Sequence, residues 1–324
     1  MDADGFSKIR QYRDQHIQAA ALDHFSLNHF HDGIINQTLE LSIKKTIEQY
    51  GPIPCPFSFF VMGSAGRFEQ SVWSDQDHGI IYQEQNDEAK SYFLALGKTI
   101  SNGLYQTGYD YCDGGVMASN TLWCKSTLEW QSQLANWLQV SSWESIRHLL
   151  IFIDGRSVYG QSHLIEQLRT FVYRSIDKAH LLRKIFSNTL YVKKGIGVFG
   201  QILTETHGQH TGTINLKEIA FFPYVNAIRL LAIKGGISKT PTLSRLDALP
   251  NDWITSEEKQ IIQRHFLQLL TYRLSLAEHP DYETGHYLPI KLLTKEQKNE
   301  LKEILKQGTT LYRFVRQLVE KEEE

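Results

Sequence analysis

Apolar side chains recur every four positions in the first part of the chain. Ile35, Leu39, Ile43 and Ile47 keep this spacing, which places them on one face of a helix. The stretch "YGPIPCP" then interrupts the pattern, because proline cannot continue a helix. The sequence therefore predicts a helical segment over residues 1–50.

Two short apolar runs follow, "FSFFVM" at 57–62 and "HGIIYQ" at 78–83. The first lies between prolines and Gly63, which suits a buried strand better than a helix of such length. After the second run, Asn86 can cap a helix whose apolar positions keep helical spacing as far as Gly108. The predicted local order is strand, turn, strand, helix.

Two later segments are also predicted to be strands. "GGVMAS" at 114–119 has the character of a strand or the approach to one. "LLIFIDGRSVYG" at 149–160 is a fourth candidate strand, which ends on Asp154 and a turn containing glycine. Between them, Ser126 and Glu129 have capping-box spacing and predict the start of a helix.

Beyond about residue 165 the strand pattern disappears. Capping-box spacing recurs at Thr255 with Glu258 and at Thr294 with Gln297, each before an apolar stripe of helical period. We therefore predict an α+β fold, in which a mixed β-sheet with flanking helices is followed by an all-α helical bundle. The predicted parts are an N-terminal helical segment at 1–50, a catalytic domain at 51–165 and a helical domain at 166–324.

Composition and charge narrow the class of protein. The 324 residues are 41% hydrophobic and 22% charged, with a net charge of −2. That balance argues against a broad, nonspecific surface for nucleic acid, because phosphate binding relies on many positive contacts. The three cysteines have no metal-like spacing, and "MDADGFSKIR" has no apolar signal region. We therefore expect a cytoplasmic protein with reduced cysteines and without a membrane span. The composition and charge are also compatible with a homodimer.

A pair of acids precedes the second predicted strand. Asp75 and Asp77 are two positions apart, so on a strand both carboxylates project from the same face. Carboxylates together with water and substrate phosphates are the usual ligands of Mg²⁺. A third acid would allow two metal ions about 4 Å apart, the arrangement that serves phosphoryl and nucleotidyl transfer.

The turn after the first predicted strand could hold phosphates. Gly63 lets the backbone approach a phosphate closely, and Ser64 offers a hydroxyl beside backbone N–H groups. Arg67 could add a bidentate cation, and Glu69 could orient Arg67 or a metal-bound water. The combination indicates metal-assisted handling of a nucleoside triphosphate (NTP).

The third carboxylate has two candidates. Asp154 ends the predicted fourth strand, and Asp113 lies beside two glycines at the mouth of another. The structural alternative for Asp154 is a salt bridge or cap that fixes Arg156, and the alternative for Asp113 is a turn role. Cys112, near the predicted site, has no neighbour that would activate its thiolate, so we interpret it as a small buried residue.

The stretch "GSAGRFEQSVWSDQDHGIIY" closely resembles the glycine-serine and aspartate-pair signature of the DNA polymerase β-like nucleotidyltransferase superfamily. More narrowly, it is similar to a family of bacterial nucleotidyltransferases that often carry CBS domains and are related to the uridylyltransferase of nitrogen regulatory protein PII. "CDGGVMASNTLWCKSTLEW", "FIDGRSVYGQ" and "INLKEIAFFPYVNAIRLLAIKGGISKTPTLSRLDAL" resemble later blocks of that family.

The resemblance implies a nucleotidyltransferase domain followed by a helical substrate-binding domain. It gives Gly63, Ser64, Asp75 and Asp77 the nucleotide and metal roles, with two Mg²⁺ ions and an NTP as substrate. The acceptor would be a hydroxyl of a protein or a small molecule, and kinship with the PII-modifying enzyme implies a role in signal transduction. The alternatives are a regulatory module that binds nucleotide without turnover, and an inert scaffold.

Overall fold

The computed structural model describes residues 5–189, 193–275 and 284–320. The chain divides into two compact units, Met1–Ser175 and Ile176–Glu324. The first combines a β-sheet with helices and the second is mainly helical, which confirms the predicted α+β fold.

Eleven elements begin in the described part of the first unit. They are α1 Gly5–Ala20, α2 His24–Tyr50, β1 Phe57–Val61, α3 Gly63–Gly66, β2 His78–Tyr82, α4 Asp87–Thr107, β3 Cys124–Ser126, α5 Thr127–Val140, α6 Trp143–Ile153, β4 Arg156–Gly160 and α7 Ser162–Lys178.

Four strands form one mixed sheet in the order β3-β2-β1-β4. β1 pairs antiparallel with both β2 and β4, whereas β2 pairs parallel with β3. Because β1 is central, its last residue, Val61, lies between the first residue of β2, His78, and the first residue of β4, Arg156. The segments that leave β1 and enter β2 and β4 therefore meet at one edge of the sheet.

Both faces of the sheet are covered. Phe57 and Phe59 of β1 belong to a core that includes the apolar faces of α2 and α4. On the opposite face, the ring of Phe60 contacts Trp130 of α5 and Phe152 of α6. All five residues of β1 are consequently buried, which explains why this strand is an uninterrupted apolar run rather than an alternating one.

The predicted caps of this unit are present. The side chain of Asn86 accepts a hydrogen bond from the backbone N–H of Ala89, and Gly108 ends α4 in the left-handed conformation. Ser126 and Glu129 form the reciprocal hydrogen bonds of a capping box at the start of α5. These local signals act within one helical turn and do not depend on tertiary context.

One predicted strand is partly wrong. Residues 149–153 are the last turns of α6, and only 156–160 form a strand, β4. Ser142 caps α6 by accepting from the N–H of Ser145, and Asp154 is its C-cap. A helix whose residues are mostly buried has a continuous apolar run, which periodicity alone cannot distinguish from a buried strand.

The prediction of a strand at 114–119 is also wrong. This segment is a series of turns, in which the N–H of Gly115 donates to the carbonyl of Cys112 and Gly115 has φ 64°. The neighbouring strand is β3, Cys124–Ser126, which pairs with β2. Three residues are too few for a clear alternation pattern, so β3 was missed.

The described part of the second unit contains helices and one small sheet. Its elements are α8 Leu182–Ser187, β5 Thr213–Asn215, a π-helix Lys217–Phe221, α9 Phe222–Lys234, α10 Thr242–Ala248, α11 Ser256–Leu274, a 3₁₀ helix Thr284–His286, β6 Tyr287–Pro289, a second 3₁₀ helix Ile290–Leu292 and α12 Lys295–Glu320. The capping boxes predicted before α11 and α12 are both present.

Two features of this unit were not predicted. β5 and β6 form a two-stranded antiparallel sheet, and such short strands distant in the sequence leave no pattern. The π-helix has a local cause in Pro223, at the start of α9, which has no N–H to give the preceding turn. The N–H of Phe222 donates instead to the carbonyl of Lys217, five residues back.

Candidate active site

The turn after β1 forms one wall of the site. Gly63 has φ 55°, in the left-handed region, and begins the short helix α3. A Cβ atom placed on Gly63 would lie 2.1 Å from Oδ2 of Asp77. The backbone N–H of Met62 donates to the carbonyl of Asp77 at 2.7 Å. Glycine is therefore required both by the backbone conformation and by the close approach of the Asp77 carboxylate.

Asp75 and Asp77 lie immediately before β2, in half-buried positions. The backbone of Asp75 forms a parallel bridge with Asp110, and the N–H of Gln76 donates to the Asp110 carbonyl at 2.9 Å. A carboxylate oxygen of Asp75, one of Asp77 and Sγ of Cys112 all lie within 4.8 Å of one another. The two aspartates of the predicted metal pair are thus brought together.

Cys112 is the third member of this group. Burial, followed by the neighbouring Asp77 carboxylate, raises the pKa of the Cys112 thiol to about 12. The thiol is therefore protonated at neutral pH and hydrogen-bonds to Asp77. Because a protonated thiol is a poor ligand for a hard cation, the carboxylate oxygens are the atoms suited to Mg²⁺.

Arg67 lies between two buried carboxylates. Its Nε donates to Oε2 of Glu69 at 2.8 Å, and its Nη1 donates to Oδ2 of Asp154 at 2.7 Å. Burial alone would lower the pKa of Arg67, but Glu69 and Asp154 together raise it above its ordinary value. Arg67 is a permanent cation here, and the geometry fits the predicted role of Glu69 in orienting it.

The two candidates for the third carboxylate have different surroundings. Asp154 is fully buried against Arg67, and a Cβ atom on Gly66 of α3 would lie 2.1 Å from its carbonyl oxygen. Its ion pair is with Arg67, whereas Arg156 forms a bidentate pair with Asp32. Asp113 is exposed in the turn after Cys112. Neither belongs to the Asp75, Asp77 and Cys112 group, the one such metal-holding set found among the described residues, so the third carboxylate stays a prediction.

Gln76 and His78, which follow Asp75 and Asp77 in the sequence, form a buried hydrogen-bond network. The ring Nε2 of His78 donates to Oε1 of Gln76 at 3.0 Å, and its Nδ1 accepts from the N–H of Ala118 at 3.2 Å. Nε2 of Gln76 donates to the carbonyls of Ser101 and Tyr109. Burial lowers the pKa of His78 to about 3, so the ring is neutral. This network, which no pattern in the sequence indicates, connects the segment containing Cys112 to the segment containing the aspartates.

The donor set fits a hard divalent cation. Two half-buried carboxylates approach each other at the end of a strand, and a glycine turn leaves room beside one of them. Ser64 is also half-buried, in the first turn of α3, where backbone N–H groups have no partner within the helix. The arrangement can hold a metal ion next to an anionic ligand.

Two family models match the chain. Residues 7–144 match the family described as "Putative nucleotidyltransferase DUF294", and residues 179–319 match its partner, "Putative nucleotidyltransferase substrate binding domain". The chain belongs to this nucleotidyltransferase family. The first DUF294 match contains the glycine turn, the aspartate pair and Cys112, while Asp154 lies beyond its end. No curated protein matches the sequence.

The comparisons support nucleotidyl transfer, and with it an NTP substrate, as the general activity of the family. No helix in the described ranges combines the length and apolar character that a membrane crossing requires.

The stability of the first unit is expected to fall in mild acid because of His31. Burial, followed by the charge of Arg13, lowers the pKa of this histidine to about 3. An unfolded chain binds a proton near pH 6.5, whereas the folded protein does not until about pH 3. His31 therefore contributes its full stabilisation above pH 6.5, and this is lost as the pH falls. Between pH 7 and pH 5 the loss is about 2 kcal/mol.

Chemical denaturation of the wild type and of a His31→Gln variant at both pH values checks this expectation. The variant should lose about 2 kcal/mol less than the wild type between pH 7 and pH 5. Equal losses in the two proteins would contradict the assignment to His31.

Proposed function

We propose that this protein is an active, Mg²⁺-dependent nucleotidyltransferase that transfers a nucleoside monophosphate from an NTP to an acceptor hydroxyl. The observation that carries the proposal is the approach of the Asp77 carboxylate to the Gly63 turn, with the Asp75 carboxylate beside it. A metal-holding pair and a phosphate-holding turn then lie against each other. Nucleotidyl transfer requires that adjacency, because both must act on one triphosphate.

Asp75 and Asp77 would hold the metal ions. When bound, Mg²⁺ neutralises charge on the triphosphate and orients it for in-line attack. The protonated Cys112 thiol hydrogen-bonds to Asp77 and so limits the orientations of that carboxylate. The first turn of α3 supplies the hydroxyl of Ser64 and backbone N–H groups to the phosphate oxygens.

The bond changes follow from the substrate. The acceptor oxygen forms a bond to the α-phosphorus, the bond from that phosphorus to the bridging oxygen breaks, and pyrophosphate leaves. The hydroxyl proton passes to a carboxylate, for which Asp154 and Asp113 are the candidates. Arg67 donates to Oδ2 of Asp154 at 2.7 Å, so rotation of Arg67 toward the phosphates would free that oxygen to accept the proton.

For the acceptor, the proposal covers the part of the chain that binds it and its chemical class. The model matched by residues 179–319 is described as a substrate-binding domain, and we assign acceptor binding to that part of the chain. The sequence resemblance to the PII-modifying enzyme favours a protein hydroxyl such as that of tyrosine. A small metabolite with a hydroxyl group is the other class.

One observation favours a second candidate function. Asp154 is engaged by Arg67, and the aspartate pair has no third carboxylate in its group among the described residues. Two carboxylates can bind one metal ion and a nucleotide without completing a two-metal site. A regulatory module that binds NTP without turnover is consistent with that arrangement.

Calorimetric titration of ATP, UTP, GTP and CTP, with and without Mg²⁺, tests the site. An Asp75→Asn/Asp77→Asn double variant should lose the Mg²⁺-dependent binding, because neutral amides bind Mg²⁺ much more weakly than two carboxylates. Asp87→Asn/Asp252→Asn is a matched control with the same charge change at two exposed positions outside the site. If nucleotide binds but no acceptor leads to release of pyrophosphate, the regulatory module is favoured. If none of the four nucleotides binds, the proposal is wrong.

A further inference from the structure

The segment between Glu69 and Asp75 is bound by side chains from the two N-terminal helices. Three successive backbone carbonyls each accept a hydrogen bond from a different side chain. Nδ2 of Asn28 donates to Gln70 at 3.3 Å, His31 Nε2 donates to Ser71 at 3.0 Å, and Arg13 Nη2 donates to Val72 at 3.0 Å. We call residues 70–72 the anchored loop.

The three side chains are almost completely buried. Arg13 is 1% exposed, Asn28 1% and His31 0%. Burial of a polar side chain is costly unless it finds hydrogen-bond partners. Apolar residues at these positions would leave the carbonyls of residues 70–72 without these hydrogen bonds, so the polar groups hold the loop as well as fill the space.

Each contact also fixes an orientation. Oδ1 of Asn28 accepts from the N–H of Gln70 at 2.8 Å, so one amide side chain binds both polar groups of that residue. Nδ1 of His31 accepts from the hydroxyl of Tyr109 at 2.9 Å, which directs Nε2–H to the loop. The guanidinium of Arg13 lies 5.9 Å from the ring centroid of Trp73. The anchored loop is therefore held at each of its residues.

The position of the loop matters because both of its ends lead into the site. Glu69, on one side, orients Arg67, and Asp75 is three residues beyond Val72. Only Trp73 and Ser74 separate the loop from Asp75, so the anchored loop determines where the chain enters the position of Asp75. Displacement of a reacting group by about 1 Å can reduce catalysis about a hundredfold.

We propose that Arg13, Asn28 and His31 are positioning residues, through which the N-terminal helices α1 and α2 fix the Asp75 carboxylate for metal binding. The inference rests on the proposed metal-dependent function of the aspartate pair. It makes the helices at 5–50 a part of the active site although none of their side chains belongs to the metal-holding group.

The test uses the full chain and Mn²⁺ as the probe, titrated by electron paramagnetic resonance in the presence of the NTP that binds in calorimetry. Asn28→Ala should weaken Mn²⁺ binding about tenfold, as substitution of groups behind metal ligands commonly does. Its kcat should fall more than its KM for the NTP rises. His31→Gln keeps an N–H donor that can reach Ser71 and should retain most of the affinity, whereas His31→Ala should not.

Leu39→Ala is the matched control. Leu39 is a fully buried residue of α2, and its truncation lowers stability without removing a contact to the anchored loop. If this variant folds too poorly, Ile43→Val replaces it. Mn²⁺ affinity should be unchanged in the control, and hydrogen exchange at 70–76 should accelerate selectively in Asn28→Ala.

Equal Mn²⁺ affinity in the wild type and Asn28→Ala, or an equal loss in the control, would overturn the positioning role while leaving the proposed function intact. Failure of the wild type to bind Mn²⁺ would instead overturn the proposed function, and this inference with it. Hydrogen exchange separates the two cases, because it reports the anchoring of the loop without any metal.

Discussion

A Gly63→Ala variant is expected to lose nucleotidyl transfer by about a hundredfold or more. The added methyl group would lie 2.1 Å from Oδ2 of Asp77, well inside van der Waals contact. Either the turn or the carboxylate must move, and both belong to the proposed site. The left-handed conformation of residue 63 adds roughly 1–2 kcal/mol of backbone strain for alanine.

Steady-state kinetics with the preferred NTP measure this effect. Gly33→Ala is the matched control, because no atom lies within 4 Å of a Cβ placed there and the residue is in the exposed part of α2. Alanine should stabilise that helix by about 0.5–1 kcal/mol and leave activity unchanged. Full activity of Gly63→Ala would show that the Asp77 carboxylate need not occupy its observed place.

An Arg67→Met variant is expected to lose about 3–5 kcal/mol of stability. The substitution removes the guanidinium that Glu69 and Asp154 share, and both carboxylates are at least 97% buried. A buried charge without its counterion is strongly destabilising, while the methionine side chain keeps much of the volume. The loss should appear in urea denaturation of the full chain.

Two further variants test whether the loss of stability in Arg67→Met comes from the buried ion pairs. Arg67→Met/Asp154→Asn should recover part of the stability, because one of the two buried charges is removed as well. Arg10→Met breaks an exposed pair with Asp14, in which both side chains are over 40% exposed, and should cost less than about 1 kcal/mol. A small loss in Arg67→Met, similar to that of the Arg10 variant, would contradict the description of a buried ion triad.

The parts of the site predicted from sequence are the parts that local geometry determines. Asp75 and Asp77 are two residues apart, and a glycine before a serine indicates a turn. Such features depend on the chain within a few residues. The partner of Asp154 could not be predicted in this way, since Arg67 is 87 positions away in the sequence. The alternative role of Asp154, a salt bridge or cap that fixes Arg156, was suggested by proximity in the sequence, whereas the structure shows Asp154 paired with Arg67 and serving as the C-cap of α6.

The helices and strands show the same contrast between features that local sequence determines and features that tertiary contacts determine. Helices with caps, such as α4 and α5, were predicted correctly because the cap and the apolar stripe agree. The last part of α6, residues 149–153, was predicted as a strand, because these residues are nearly all buried and form a continuous apolar run. The anchoring of residues 70–72 was also missed, because Asn28 and His31 appear in the sequence as ordinary polar positions of α2.

The division of the chain into two units has a consequence for how such proteins diversify. All the residues placed here in the metal and phosphate site lie before residue 176, within the first unit. The boundary falls inside a single helix, α7. A recombination event that preserves this helix could therefore exchange the second unit for that of a relative. If the second unit binds the acceptor, as proposed, such an exchange would change the acceptor and leave the residues of the metal and phosphate site unaltered.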